Sequence, residues 1–275
     1  MARDSRSHIP KSKGPKLGRY TVSVPVAPLH RQQSRQSGLE TQLLFGQQFD
    51  VYEKNKTWVW GQSRSPLRGS KQKGYVGFMR LKDLEEVQAS PDYVVTALRA
   101  PLFSKADIKS PIKNFLPMGA LLKKMKAAGK FVQLQTGEFI HINHIRKRSV
   151  KPSVLDFVAI AQRHIGLPYI WGGVSSEGLD CSGLVQSSLR AIGRDAPRDA
   201  DMQEAELGDY LPVKQSGLKR GDLVFWKGHV GIMISASNMI HANAFHMSVE
   251  TEPLRIAAKR ILESGGGPIR AIKRL

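Results

Sequence analysis

The 275-residue chain holds a single cysteine, Cys181. No internal disulfide is possible, and a four-thiolate zinc site is excluded with it. Aromatic residues make up 7% of the chain. No apolar run approaches the ~20 residues that a membrane-spanning helix needs. The N-terminus, MARDSRSHIPKSKGPKLGRY, is basic but lacks an apolar centre, so it does not read as a secretory signal. A cytoplasmic setting is therefore expected, with export by an unrecognised route as the alternative. Acidic residues are also scarce: 23 Asp and Glu face 42 Lys and Arg, a net charge of +19. Such a surface attracts polyanions. No zinc-finger pattern or RNP-like aromatic motif accompanies the charge, so nucleic acid is not the expected partner. HExxH is missing too. His141 and His144 of HINH lie three apart in a predicted strand and should point to opposite faces. No metal and no cofactor are expected.

What is present falls into segments. Residues 1–20 are rich in Lys, Arg, Ser, Pro and Gly and are expected to be a flexible basic tail. Residues 21–90 carry TVSV, TQLLFG, QFDVYE, TWVWGQ and GYVGFMR. These are short runs of β-branched and aromatic residues broken by Gly, Asn and Lys, as in a small barrel. Residues 91–150 repeat that texture in YVVTALRAPLFS, GALLKKM and KFVQLQTGEFIHI. RKRSVKP is a linker to a third domain, 151–275. There Ser153, with Asp156 three residues on, reads as a helix cap. Leu155, Val158, Ala161, Gln162 and Ile165 trace that helix's mostly apolar face, and Gly166 ends it. A second helix follows Cys181, with Leu184, Val185, Leu189 and Ile192 at helical spacing. DLVFW, HVGIMIS, NMIHANAF and PIRAIKRL then read as strands at hairpin spacing. Helices followed by an antiparallel sheet make an α+β domain.

The cysteine lies in GLDCSGLVQSSL, in the first turn of its predicted helix. Unsatisfied N–H groups and the helix dipole favour negative charge there. A thiolate, not a thiol, is the nucleophile, and it needs a base that is itself oriented. Two histidines lie on consecutive predicted strands, His229 in KGHVGIMIS and His241 in MIHANAF. His229 shares a face with Gly231 and Met233. An imidazole entering from a sheet face covered by the cysteine helix would meet the thiol, and His241 could hold its far nitrogen. Spacing alone leaves open a second reading, in which Cys181 is a small packing residue and the histidines are structural.

YIWGGVSSEGLDCSGLVQ, RGDLVFWKGHVGIMI and MIHANAF occur in the order found in NlpC/P60 cysteine peptidases, and residues 153–275 resemble that family. The two β-rich blocks are similar to bacterial SH3 domains, TWVWGQ and GYVGFM carrying the likeness of the first. The resemblance implies a papain-like catalytic domain behind two SH3-like barrels. It assigns Cys181 as nucleophile, His229 as base and His241 as the orienting residue. Tyr169 would lie near the oxyanion, and Asp180, Ser182, Arg198 and Asp199 would shape the cleft. Enzymes of this three-domain kind cleave the γ-D-glutamyl–diamino-acid bond of murein peptides. They hold a free L-alanine amino terminus with acidic and tyrosine side chains of the first SH3 domain. Tyr75 fits the tyrosine, Glu40 is the candidate acid, and Asp180 could supply a second carboxylate. Two departures stand out: Ala200 replaces a common Ser, and Gln47 a common Glu. The alternatives are a hydrolase acting on intact wall and a non-catalytic SH3-type wall-binding protein.

Overall fold

The structure is a computed structural model that describes residues 4–87, 90–214 and 216–275. The chain divides after Lys151 into two units.

In the first unit a seven-stranded antiparallel sheet runs in the order Leu39–Leu44, Val26–His30, Lys73–Arg80, Trp58–Arg64, Gln48–Lys54, Gly18–Val22 and Leu84–Glu86. Alternation buries Val22, Ala27, Leu29, Phe49, Val51 and Met79 completely. The basic tail departs from its expected flexibility. The Val76 N–H donates to Arg6 O at 2.8 Å, Gln62 Nε2 to Ser7 O at 2.8 Å, and the Leu17 N–H to Val51 O at 2.8 Å. Lys13 pairs with Glu53 at 2.8 Å and sits 4.6 Å over the Trp60 ring. The tail has no apolar period of its own, but the sheet offers it backbone partners and an aromatic face for its charge.

The second β-rich block forms a five-stranded sheet in the order Ile112–Pro117, Arg99–Phe103, Phe139–His141, Phe131–Leu134 and Lys124–Ala128. A three-stranded sheet of Leu121–Leu122, Tyr93–Val95 and Ile145–Lys147 completes it. Their shared core includes Val95, Ala100, Leu116, Leu122 and Ile140. The expected strand through HINH ends at His141, whose side chain accepts from the Asn143 N–H, and a 3-10 turn follows over Ile142–His144. The turn brings the His141 and His144 rings to 5.8 Å instead of sending them to opposite faces.

The second unit opens with helix α1, Phe157–Gln162. Its cap is Asp156 and not Ser153, because the Asp156 carboxylate takes the Val158 and Ala159 N–H groups. The helix thus starts later than expected, and Leu155 and Ile165 stay exposed at 69% and 46%. Gly166, at φ 82°, turns the chain out of the segment. Helix α2 is Cys181–Ala191, α3 is Ala200–Glu206 and α4 is Leu254–Glu263. A six-stranded antiparallel sheet runs in the order Asp209–Leu211, Ala271–Arg274, Leu223–Trp226, His229–Met233, Asn238–Asn243 and Ser248–Pro253. Leu223, Phe225, Val230, Ile232, Ile240 and Ala242 pack on one face with Leu184, Val185 and Leu189 of α2. Val224, Trp226, Met233 and Met239 pack on the other face with Leu254 and Ala257 of α4. Each such fully buried aliphatic side chain stabilises the unit by about 2 kcal/mol.

Helix α2 comes close to the loop before it at Gly183, where a Cβ would stand 2.2 Å from Gly173 O. Gly183→Ala should therefore destabilise the unit, although alanine is the better helix former. A loss of about 1–3 kcal/mol is expected from the forced backbone shift. Urea unfolding would read it, and an unchanged midpoint would count against the close approach.

Candidate active site

Cys181 is the first residue of α2, and Asp180 caps the helix. The Asp180 Oδ1 accepts from the Gly183 N–H at 2.6 Å, Ser182 Oγ at 3.2 Å and Arg198 Nη1 at 2.9 Å. Its Oδ2 accepts from the Gly172 N–H at 2.9 Å and Arg198 Nη2 at 2.5 Å. Arg198 also donates to Ser182 Oγ at 3.0 Å and reaches Gly173 O at 3.4 Å. Gln203 of α3 adds bonds from Nε2 to Ser182 O and Pro197 O, both 2.9 Å. Asp180, Ser182 and Arg198 thus form one buried lattice around the mouth of α2. Asp180, expected to face a substrate ammonium, has both of its oxygens engaged within the protein. Asp199 is half-buried at the start of α3. Ala200, where the resemblance leads one to expect Ser, is buried in the α2 core.

The Cys181 thiol donates to Gly228 O at 3.9 Å, so it lies against the start of the His229–Met233 strand. His229 Nε2 is 2.8 Å from His241 Nδ1, and His241 Nε2 is 2.7 Å from Glu252 Oε1. Arg260 of α4 donates to the same Glu252 oxygen. Among the described residues no hydrogen bond is made by His229 Nδ1, which leaves that nitrogen for the thiol. Tyr169 packs against the core that contains Cys181. Burial first, and then the nearby Cys181 and Asp180, raise its phenol pKa.

The sequence reading put His229 on the sheet face under the cysteine helix, and the packing shows otherwise. Val230 and Ile232 face α2, whereas Met233 on the His229 face packs with α4. The thiol lies at the end of that strand, against Gly228 O, the residue before His229. Gly231 stands between His229 and Met233. Its alternation partners on that face are His229 and Met233, and a Cβ there would meet Met239 Cε at 2.2 Å and His241 Cβ at 3.7 Å. The missing side chain leaves room for the Met239 side chain, which packs over Gly231 beside His241.

Burial pushes the Cys181 thiol up to about 12, helped by the Asp180 charge, against the opposing pull of the Val230 and Ser182 N–H groups. Burial, with His241 and Arg260 nearby, pushes His229 down to about 3. This departs from the expected helix-lowered thiol: desolvation outweighs the helix terminus. Neither charge is favourable alone, so thiolate and imidazolium form together when the proton passes between them.

Two residues of the chain of bonds, Glu252 and Arg260, escaped the sequence reading. Glu252 belongs to the last strand pair and Arg260 to α4. Only the register of His241 opposite Glu250 puts Glu252 within reach, and no motif encodes a register. His241, His246 and Glu252 bring possible metal-ligand atoms within 4.8 Å of one another. The Glu252 carboxylate there is held by His241 and Arg260, so the group is already satisfied as a hydrogen-bonded network. In the first unit, Tyr75 is buried, Glu40 pairs with Arg31 at 2.6 Å, and Gln47 Oε1 accepts from the Leu44 N–H at 3.2 Å within its turn.

Residues 166–263 match the NlpC/P60 family, and residues 29–84 match the bacterial dipeptidyl-peptidase SH3 domain. The chain is 30% identical over 251 residues to the gamma-D-glutamyl-L-lysine dipeptidyl-peptidase of Bacillus cereus (strain ATCC 10987 / NRS 248), covering 78% of this chain and 71% of that protein. It is 29% identical over 224 residues to the protein of the same name from Bacillus subtilis (strain 168), covering 77% and 75%. The fold is similar to that of an NlpC/P60 family protein from Bacillus cereus ATCC 10987, with a TM-score of 0.74 over 94% of this chain and 99% of that one, at 23% identity.

The lattice at the mouth of α2 makes a prediction. Asp180→Asn removes the carboxylate charge that the buried Arg198 guanidinium meets at both oxygens, and breaking a buried pair costs roughly 3–5 kcal/mol. The variant should lose stability whether or not substrate is present. A variant as stable as the wild type, with a defect confined to KM, would restore Asp180 as a substrate ligand.

Proposed function

The chain belongs to the NlpC/P60 family, and on that premise we propose that it is a cysteine peptidase cutting the γ-D-glutamyl–diamino-acid bond of murein peptides that carry a free N-terminal L-alanine. The observation that carries this reading is the chain's only thiol, at the mouth of a capped helix, lying against Gly228 O at the start of the strand whose His229 is 2.8 Å from His241. The names borne by the two Bacillus relatives support the choice of substrate.

The steps follow from the residues. Cys181 gives its proton to His229, and the sulfur attacks the γ-carbonyl carbon of D-glutamate. The carbonyl oxygen gains negative charge. The Cys181 N–H, which has no acceptor among the described residues, is the proposed oxyanion donor at the helix N-terminus, with the Tyr169 phenol as the proposed second donor. The C–N bond breaks as the imidazolium returns its proton to the leaving amine. A thioester remains. Water adds to it, giving its proton to His229, and the dipeptide acid departs with the thiol restored. His241 holds the imidazole throughout.

The test is incubation with L-Ala-γ-D-Glu-L-Lys and its diaminopimelate analogue, free and N-acetylated, with products identified by mass. The free peptides should yield L-Ala-γ-D-Glu. Cys181→Ser should abolish the reaction without unfolding the protein. His229→Ala should lower kcat more than His241→Ala, since the first removes the base and the second only its support. N-acetylation should lower kcat/KM on the order of a hundredfold, because a charged hydrogen bond lost on burial costs a few kcal/mol. Glu40→Gln and Tyr75→Phe should each weaken discrimination between free and acetylated peptide. Equal cleavage of acetylated peptide, or of intact wall, would overturn the free-amine requirement. Full activity in Cys181→Ser would overturn the peptidase assignment.

A further inference from the structure

The bonds beyond His241 decide which nitrogen of His229 is basic, and they do so by counting protons. Glu252 is largely buried, with its side chain 10% exposed, and its Oε1 accepts from Arg260 and lies 2.7 Å from His241 Nε2. Burial alone would raise its pKa, but the bonds from His241 and the charge of Arg260 hold its carboxyl below the usual range. An ionised carboxylate only accepts. The His241 Nε2 must therefore carry the hydrogen in that contact. A neutral imidazole has one N–H, so His241 Nδ1 is bare and must accept. The 2.8 Å contact with His229 then requires the hydrogen on His229 Nε2. Neutral His229 has spent its one hydrogen, and Nδ1 is left as the acceptor. Each of the two bonds holds one hydrogen, and both hydrogens point towards Glu252.

From this geometry we infer that Glu252, kept ionised by Arg260, is a positioning residue that fixes the tautomers of both histidines and so leaves His229 Nδ1 bare to take the Cys181 proton. The inference rests on the peptidase reading for its consequence in turnover, but not for the tautomers themselves. Glu252 touches neither substrate nor thiol; it acts through His241. Reverse the first hydrogen and the order inverts: His241 donates from Nδ1, His229 accepts at Nε2, and His229 Nδ1 is protonated and useless as a base. Glu252→Gln permits that inversion, because the new amide can donate to His241 Nε2 where the carboxylate could not. Glu252→Asp keeps the acceptor and shortens its reach.

The experiment is ¹⁵N NMR of histidine-labelled full-length protein at neutral pH, with signals assigned by loss in His229→Gln and His241→Gln. Wild type should show both His229 and His241 protonated at Nε2. Glu252→Gln should move the hydrogen on at least one of them to Nδ1. It should lower kcat tenfold or more with KM changed less than twofold, and Glu252→Asp should recover part of the loss. Alkylation of Cys181 by iodoacetamide, which needs no peptide, should slow in parallel. Wild-type protein with Nδ1–H on His229 would overturn the inference, and that spectrum decides even if Glu252→Gln does not fold. A Glu252→Gln protein with both tautomers and kcat unchanged would overturn it as well. Correct tautomers and slowed alkylation in a protein that leaves the tripeptide uncut would support the inference and sink the substrate reading instead.

Discussion

The pairing of Asp180 with Arg198 is the constraint from which the catalytic unit is arranged. Two buried opposite charges meet through both carboxylate oxygens, and each remaining lone pair is filled by a backbone N–H or a hydroxyl. A charge pair of this kind is worth having in a core only when every partner is supplied, since desolvation otherwise exceeds attraction. Here the partners come from three separate stretches of chain: the loop at Gly172, the first turn of α2 and the segment leading into α3. The pair therefore fixes where the helix starts. Cys181 is the next residue, and its direction follows.

The sheet makes a complementary demand. Its two faces are covered by different helices, α2 and α4. A side chain must belong to one or the other, and His229 and His241 belong to the face away from the cysteine. His229 is the first residue of its strand, and the thiol lies against Gly228 O just before it. Placement on the α4 face then gives the histidines something that the α2 face could not. Arg260 and Glu252 lie there, and the proton order of the whole chain of bonds follows from their charges. Gly231 is the complement in volume, a gap on that face that the Met239 side chain fills.

The basic character of the chain has a local use that composition does not disclose. In the first unit Asp50 is surrounded by Arg19 at 2.7 Å and Arg64 at 3.0 Å, with Lys16 at 3.8 Å. Burial would raise its pKa, but these cations hold its carboxyl below the usual range. The tail contributes Lys13 and Lys16 to such contacts. Some of the excess cations are thus spent on ordering a segment with no apolar period of its own.

The sequence by itself determined the elements that depend on local pattern. The period of Leu184, Val185 and Leu189 gave α2, alternation gave the strands, and the order of motifs singled out Cys181, His229 and His241 as candidates. These signals survive because helix and strand periods, and a nucleophile before an apolar run, are written along the chain. Tertiary structure decided whatever depends on partners brought from a distance. Asp180 looked like an open carboxylate because Arg198 lies 18 residues on. Ser153 looked like the cap because Asp156 could fill the same role and only the path of the chain chooses between them. His229 was read onto the wrong face because a strand's alternation fixes which residues share a side but not which helix covers it. Glu252 and Arg260 were invisible because a strand register and a helix docking, neither of them a property of neighbouring residues, are what carry them to His241.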